Sequence, residues 1–134
     1  MITLIVWATA QGLKVVLGIA REKRFNFRWF IGSGGMPSSH AAGACALATA
    51  CGLTDGFDST LFGVATVFAL VTMFDAQGVR RAAGQQAEIL NKIVDTMYAG
   101  GQVEEVQLRE LLGHTPIQVF VGAFLGIMMA VWLY

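Results

Sequence analysis

Four apolar runs of membrane-spanning length decide what this chain can fold into. They cover residues 2–20, 37–54, 60–77 and 117–134 of a 134-residue sequence. A helix rises about 1.5 Å per residue, so about 20 residues cross a hydrocarbon core of roughly 30 Å. Each run falls slightly short of that, which implies a compact bundle or a locally thinned bilayer. A soluble, fully buried helical core is the competing reading, but four such runs leave too little amphipathic sequence to cover it. The fold class read from the sequence is all-α. It is an integral membrane bundle of about four transmembrane helices, one domain over 1–134, with a polar helical insert at 78–116.

Composition supports this and removes other classes. Only 13% of residues are charged and 55% are hydrophobic, against about 25% charged in a soluble domain. Nine basic residues balance nine acidic ones, so no net positive charge is available to hold a nucleic acid. Cys45 and Cys51 lie in one apolar run without metal-ligand spacing and read as small buried residues. No basic segment precedes the first run, which reads as a retained helix rather than a signal peptide.

Charge placement gives an expected topology. Four crossings put both termini on one side with the loop Thr54-Asp55-Gly56-Phe57-Asp58-Ser59, which has two aspartates and no cation. The other side receives Arg21, Lys23, Arg24, Arg28, Arg80, Arg81, Lys92 and Arg109, eight of the nine basic residues. The positive-inside rule makes that side cytoplasmic and the chain a multi-pass protein of the cell membrane. Within the insert, Ala83, Ala87, Leu90, Val94 and Met97 recur at helical spacing among Gln85, Gln86, Glu88, Asn91 and Asp95. This predicts an amphipathic helix, a break at Ala99-Gly100-Gly101, and a shorter helix over 103–112 carrying Glu104, Glu105 and Glu110, ended by Gly113. Such a pair reads as a surface or membrane-interface element.

Polar groups at or inside the runs need a reason, because a central Lys or Asp costs about 2.5–3.5 kcal/mol on insertion scales. Lys14 either snorkels to the interface or faces inward toward an anion. Gly34-Gly35-Met36-Pro37-Ser38-Ser39-His40 opens the second run. Helix capping accounts for Pro37 and one serine. Two hydroxyls and an imidazole at a helix N-terminus also make an anion cradle. Asp75 closes the third run ahead of Arg80 and Arg81, either as a membrane anchor with its counter-ion or as guanidinium forks for phosphate. Gly113-His114-Thr115-Pro116 opens the fourth run, and Gly122 and Gly126 form a step for close helix approach. The two histidines of the chain thus sit at helix starts on the same predicted side. One imidazole is suited to attack phosphorus and the other to protonate the leaving oxygen, with Lys and Arg neutralising the remaining oxygens. No Asp, Glu and His cluster has metal-ligand spacing, so the chemistry is expected to need neither metal nor cofactor.

These residues resemble the type-2 phosphatidic acid phosphatase superfamily, which includes the vanadium haloperoxidases, and more closely its divergent membrane branch. The resemblance covers most of the chain. A Lys-x6-Arg-Pro motif is similar to Lys14 and Arg21, with Glu22 in place of Pro. Pro-Ser-Gly-His is similar to Pro37-Ser38-Ser39-His40, with Ser39 in place of Gly. His-x3-Asp is matched by His114 with Gln118 at the Asp position. The stretch from Asp75 to Asn91 resembles the hallmark of the divergent branch. The resemblance implies that His114 is the nucleophile, transiently phosphorylated, and His40 the acid. It implies that Ser38, Ser39, Lys14 and Arg21 hold the phosphate. Arg109 lies one position from the motif arginine, and Arg80 or Arg81 is placed to take over; Gln118 can accept a hydrogen bond from the His114 ring, and Asp75 or Glu110 is the substitute carboxylate.

Two functions follow as expectations. One is a metal-independent phosphatase or phosphotransferase acting on a lipid phosphate in the membrane. The other is a non-catalytic lipid-phosphate-binding or structural protein that kept the cradle. Gly-rich faces on short spans also predict a homodimer.

Overall fold

The computed structural model describes residues 1–23, 35–97 and 113–134. They form five helices: α1 (Ile2–Glu22), α2 (Ser39–Asp55), α3 (Thr60–Gln77), α4 (Val79–Met97) and α5 (Pro116–Leu133). No strand occurs among the described residues. The helix starts follow from local chemistry. The Ser38 hydroxyl accepts the Ala41 N–H at 3.4 Å, and the Ser59 hydroxyl accepts the Phe62 N–H at 3.2 Å. Thr115 accepts the Gln118 N–H at 3.4 Å, and Pro116 takes the first turn, where no N–H partner is needed. α1 ends at Lys23 in the left-handed region, with φ 51°, and α2 ends at Gly56, with φ 96°.

α2 is the central helix and packs against α1, α3 and α5. The packing is inverted relative to a soluble domain. Small residues fill the interior: Ala42, Ala46 and Ala130 with Val6 and Ala10 on one side, and Ala44, Cys45, Ala48, Ala65, Ala69 and Ala123 on the other. Large apolar side chains such as Leu61, Val64, Phe68, Phe120, Phe124 and Trp132 point outward and are exposed. Lipid tails solvate Phe and Leu as well as a protein core does, so helices in a membrane associate through close backbone approach at small residues. α2 and α5 carry this furthest. A Cβ on Gly122 would collide with the Ser38 carbonyl oxygen, and one on Gly126 with the Ala42 carbonyl oxygen.

Three stretches are long and apolar enough to cross a membrane: Ile2–Ala20, Thr60–Val94 and Pro116–Leu133. The expected second run begins as a helix only at Ser39 and is 17 residues long. It falls just outside that set, and its position explains why a short, Ala-rich helix suffices: three neighbours enclose it. Both cysteines are free thiols on this helix, and the Cys45 sulfur lies 3.7 Å from that of Met73.

The insert departs from expectation in one respect. Gly78 carries α3 into α4 without a stop, since its N–H donates to Phe74 at 2.8 Å and its carbonyl accepts from Ala82 at 2.9 Å. α4 exposes Ile89, Leu90, Ile93 and Val94 and buries Gly84, Ala87 and Asn91. Of the anticipated apolar stripe, Ala87 is thus buried while Leu90 and Val94 face outward. An exposed Glu88–Lys92 ion pair at 2.7 Å marks the polar side. The shorter helix over 103–112 lies outside the described residues.

The helix ends come together in a fixed way. The Ser38 N–H donates to the Gln118 carbonyl at 3.0 Å, and the Tyr134 hydroxyl donates to the Leu53 carbonyl at 3.0 Å. α2 and α5 therefore run parallel, start beside start and end beside end. α1 runs against them: Trp7 lies beside Gly43 and Lys14 beside Gly35. The His114 N–H donates to the Ala76 carbonyl at 3.0 Å, which ties the last turn of α3 to the entrance of α5.

Candidate functional site

One end of the bundle collects the polar residues singled out in the sequence. Lys14 is buried, 6% exposed, on the inner face of α1. Its Cγ and Cδ lie against Gly35, where a Cβ would sit 3.1–3.2 Å away. Gly35 has φ 86°, so the bend leading to α2 both requires glycine and leaves the lysine stem its space. Lys14 is thus packed into the protein against the bend that leads to α2.

Ser38 and Ser39 are fully buried and 2% exposed respectively, and His40 in the first turn of α2 is exposed. The register is set by Gly122, whose missing side chain lets the Ser38 backbone lie on α5. His114, 3% exposed, is the residue before the capping Thr115. Ala41, Ala76 and Val119 form a small apolar cluster between the starts of α2 and α5 and the end of α3. Ser38–His40 at the start of α2, Ala76 at the end of α3 and His114 just ahead of α5 are therefore held around one packing point.

Two parallel helices present N-termini at this end, each equivalent to roughly +0.5 charge, with the Lys14 stem packed against the bend before α2 and the Asp75 carboxylate in the last turn of α3. Opposing helix ends are displaced. α3 continues into α4 through Gly78, and α1 extends eight residues beyond Lys14 to Glu22, about 12 Å at helical rise.

Other expected residues are placed as follows. Gln118 uses its side-chain oxygen to accept the Thr115 N–H at 3.1 Å, completing a capping box. The oxygen that the sequence offers to the His114 ring is thus engaged in holding the start of α5. Asp75 is half-buried in the last turn of α3, next to Ala76. Arg21 belongs to the last turn of α1, and Arg80 and Arg81 to the first turn of α4, so their backbones lie at this same end. Their side chains, and Arg109 altogether, lie outside the described residues.

Two residues that the sequence shows without a role, Gln11 interrupting the first apolar run and Gly35 in the bend before α2, lie beside Lys14. Gln11 is buried, 7% exposed, one turn before Lys14; the signal was present, since an uncharged amide inside an apolar run is also costly. Gly35 forms the bend, and nothing in the sequence pairs it with Lys14, which it contacts. A shallow apolar groove on α3, lined by Thr60, Gly63, Val64 and Val67, opens at the other end of that helix. Among the described residues no cluster of His, Cys, Asp and Glu has the arrangement of a metal site.

The sequence matches known proteins along nearly the whole chain. A family described as the Divergent PAP2 family matches residues 1–129. YuiD of Bacillus subtilis (strain 168), described as an uncharacterized membrane protein, is 42% identical over 135 residues. That match covers 92% of this chain and 85% of the relative. No solved structure matches the chain significantly.

Proposed function

From the chain's membership of the Divergent PAP2 family, a phosphatase-related group of membrane proteins, we propose that it is a membrane-embedded phosphatase or phosphotransferase for a lipid phosphate. The observation that carries this reading is the meeting of Lys14, Ser38–His40 and His114 at one end of a bundle whose outer faces are apolar. In the proposed reaction a ring nitrogen of His114 attacks phosphorus and the P–O bond to the lipid breaks. His40 gives its proton to the departing oxygen, which leaves as the alcohol. Water, losing a proton to His40, then attacks the phosphohistidine; the N–P bond breaks and inorganic phosphate is released. An acceptor alcohol in place of water makes the same protein a phosphotransferase. Buried Lys14 and the two helix N-termini offset the charge that builds on the equatorial oxygens. The exposure of His40 against the burial of His114 suits an acid that exchanges protons with water and a nucleophile shielded from it. The basic residues around this end put it on the cytoplasmic leaflet in the proposed topology.

A second reading has one observation in its favour. The Gln118 side chain closes a helix cap and supplies no carboxylate for an imidazolium, which fits a protein that binds lipid phosphate without turning it over. Phosphate release from a panel of lipid phosphates by the detergent-purified protein separates the two. Turnover that disappears in both His114→Ala and His40→Ala supports the enzyme. A folded protein that binds a lipid phosphate, releases none, and retains binding after either change supports the binder.

A further inference from the structure

α4 leaves an apolar face open beyond the reach of lipid tails. α3 runs for 18 residues, about 27 Å, which takes up a hydrocarbon core of roughly 30 Å. α4 continues from it through Gly78 and so starts at the membrane boundary. Among the described helices it meets only α3. Val79, Gln86, Leu90 and Ile93 are exposed, and Ala83 is half-buried. In chain order these five are spaced four, three, four and three residues apart, which aligns them along one seam of a heptad pattern. Ile89 and Val94 are exposed beside Leu90 and Ile93 and widen the seam. Glu88 and Lys92, paired at 2.7 Å, lie on another side, and Gly84, Ala87 and Asn91 are buried on a third.

We propose that this seam is a homodimer interface, in which α4 of a second copy lies parallel and in register, Leu90 against the partner's Leu90 and Ile93 against the partner's Ile93. Composition favours a second copy over a lipid surface. Helices that lie on membranes are rich in Lys and Arg on the polar face and carry Trp, Phe or Leu on the other. α4 has three cations against two anions and no Trp, Tyr or Phe. The available area is sufficient. Val79, Ile89, Leu90, Ile93 and Val94 are 38–68% exposed, and two copies together offer on the order of 1,000 Å² of apolar surface, the size at which specific interfaces begin. A seam of roughly two heptads holds poorly alone, but copies anchored in one membrane meet at high effective concentration. They also share one orientation, which makes the contact parallel and self-complementary. Gln86 then faces the partner's Gln86, and a polar pair within an apolar seam fixes register. Neither histidine is part of the contact, and its absence would leave the phosphatase reading untouched.

The test is disulfide cross-linking of the full chain in membranes, before any detergent is added. Gln86→Cys, Leu90→Cys and Ile93→Cys probe the seam, and Gln85→Cys, Glu88→Cys and Lys92→Cys probe the opposite side. Each is oxidised with copper phenanthroline and run on a non-reducing gel beside the unaltered protein, whose Cys45 and Cys51 set the background. A linked dimer is expected from the three seam positions and only background from the other three. Equal linking at all six positions marks random collision, and linking at none marks a face that lies on lipid; either result overturns the proposal. So does linking confined to the opposite side. A second measurement follows mass by light scattering as the detergent-purified protein is diluted. Leu90→Asp is expected to weaken self-association by about tenfold or more, so that dimer gives way to monomer at higher protein concentration. Unchanged association in Leu90→Asp contradicts the interface. Should that variant fail to fold, the cross-linking pattern decides alone.

Discussion

Replacing Gly122 with alanine tests how the two helix entrances are held together. An added Cβ would collide with the Ser38 carbonyl oxygen and lie 3.0–3.1 Å from the Ser38 nitrogen and carbonyl carbon. All three are backbone atoms, so no rotamer change relieves the contact. Restoring ordinary van der Waals spacing moves α2 and α5 apart by about 1 Å. That stretches the 3.0 Å bond from the Ser38 N–H to the Gln118 carbonyl beyond hydrogen-bonding range. Overpacking of this kind costs about 1–3 kcal/mol, and the buried N–H left without its partner costs about 1–3 kcal/mol more. Helix propensity returns only about 0.5–1 kcal/mol for Gly→Ala. The net expectation is a loss of about 2–4 kcal/mol. Gly12 and Gly63 have no atoms near a hypothetical Cβ, so the same substitution there is expected to stabilise by up to about 1 kcal/mol. Thermal unfolding followed by far-UV circular dichroism in detergent gives the comparison. If Gly122→Ala melts at or above the temperature of Gly63→Ala, backbone contact does not set the register of Ser38 on α5, and the geometry argued for the site is wrong.

Further outcomes follow from the same contacts. Thr115→Ala removes one half of the capping box at the entrance of α5 and is expected to cost about 1 kcal/mol in the same unfolding measurement. Lys14→Met removes a buried amine and is expected to leave the fold intact while weakening vanadate inhibition by about tenfold or more; unchanged inhibition means that Lys14 does not face the anion. Vanadate, which mimics pentacoordinate phosphorus, is expected to inhibit phosphate release, and chelators are not. Activity abolished by chelation contradicts the histidine mechanism.

Much of the architecture is legible in the sequence, because helix boundaries are written in capping chemistry. Ser59 and Thr115-Pro116 mark the starts of α3 and α5 to within a residue, and Pro37-Ser38 marks that of α2 to within two. Counting alternate crossings is enough to bring His40 and His114 to the same end. The rest depends on information that hydropathy does not carry. Periodicity assigns Leu90 and Val94 to an apolar face of α4 but does not say what covers it, and in the structure both are exposed. Nor does an apolar run reveal which helix is enclosed; α2 is central because its Ala and Gly side chains admit three neighbours. Spacing put Gln118 opposite the ring of His114, whereas local backbone chemistry drew its oxygen to the Thr115 N–H. Lys14 and Gln11 both interrupt the first apolar run in the sequence, but only the structure shows that both are buried on the same face of α1.

The central claim is that His114 carries the phosphoryl group. The direct measurement is rapid denaturing quench of the purified protein turning over a lipid phosphate labelled at phosphorus, followed by detection of label on the protein. A phosphohistidine is expected: stable in alkali, lost in acid, mapped to His114 and absent from His114→Ala, with His40→Ala slowing its formation. Turnover with no trapped label, or with label that survives in His114→Ala, contradicts the account.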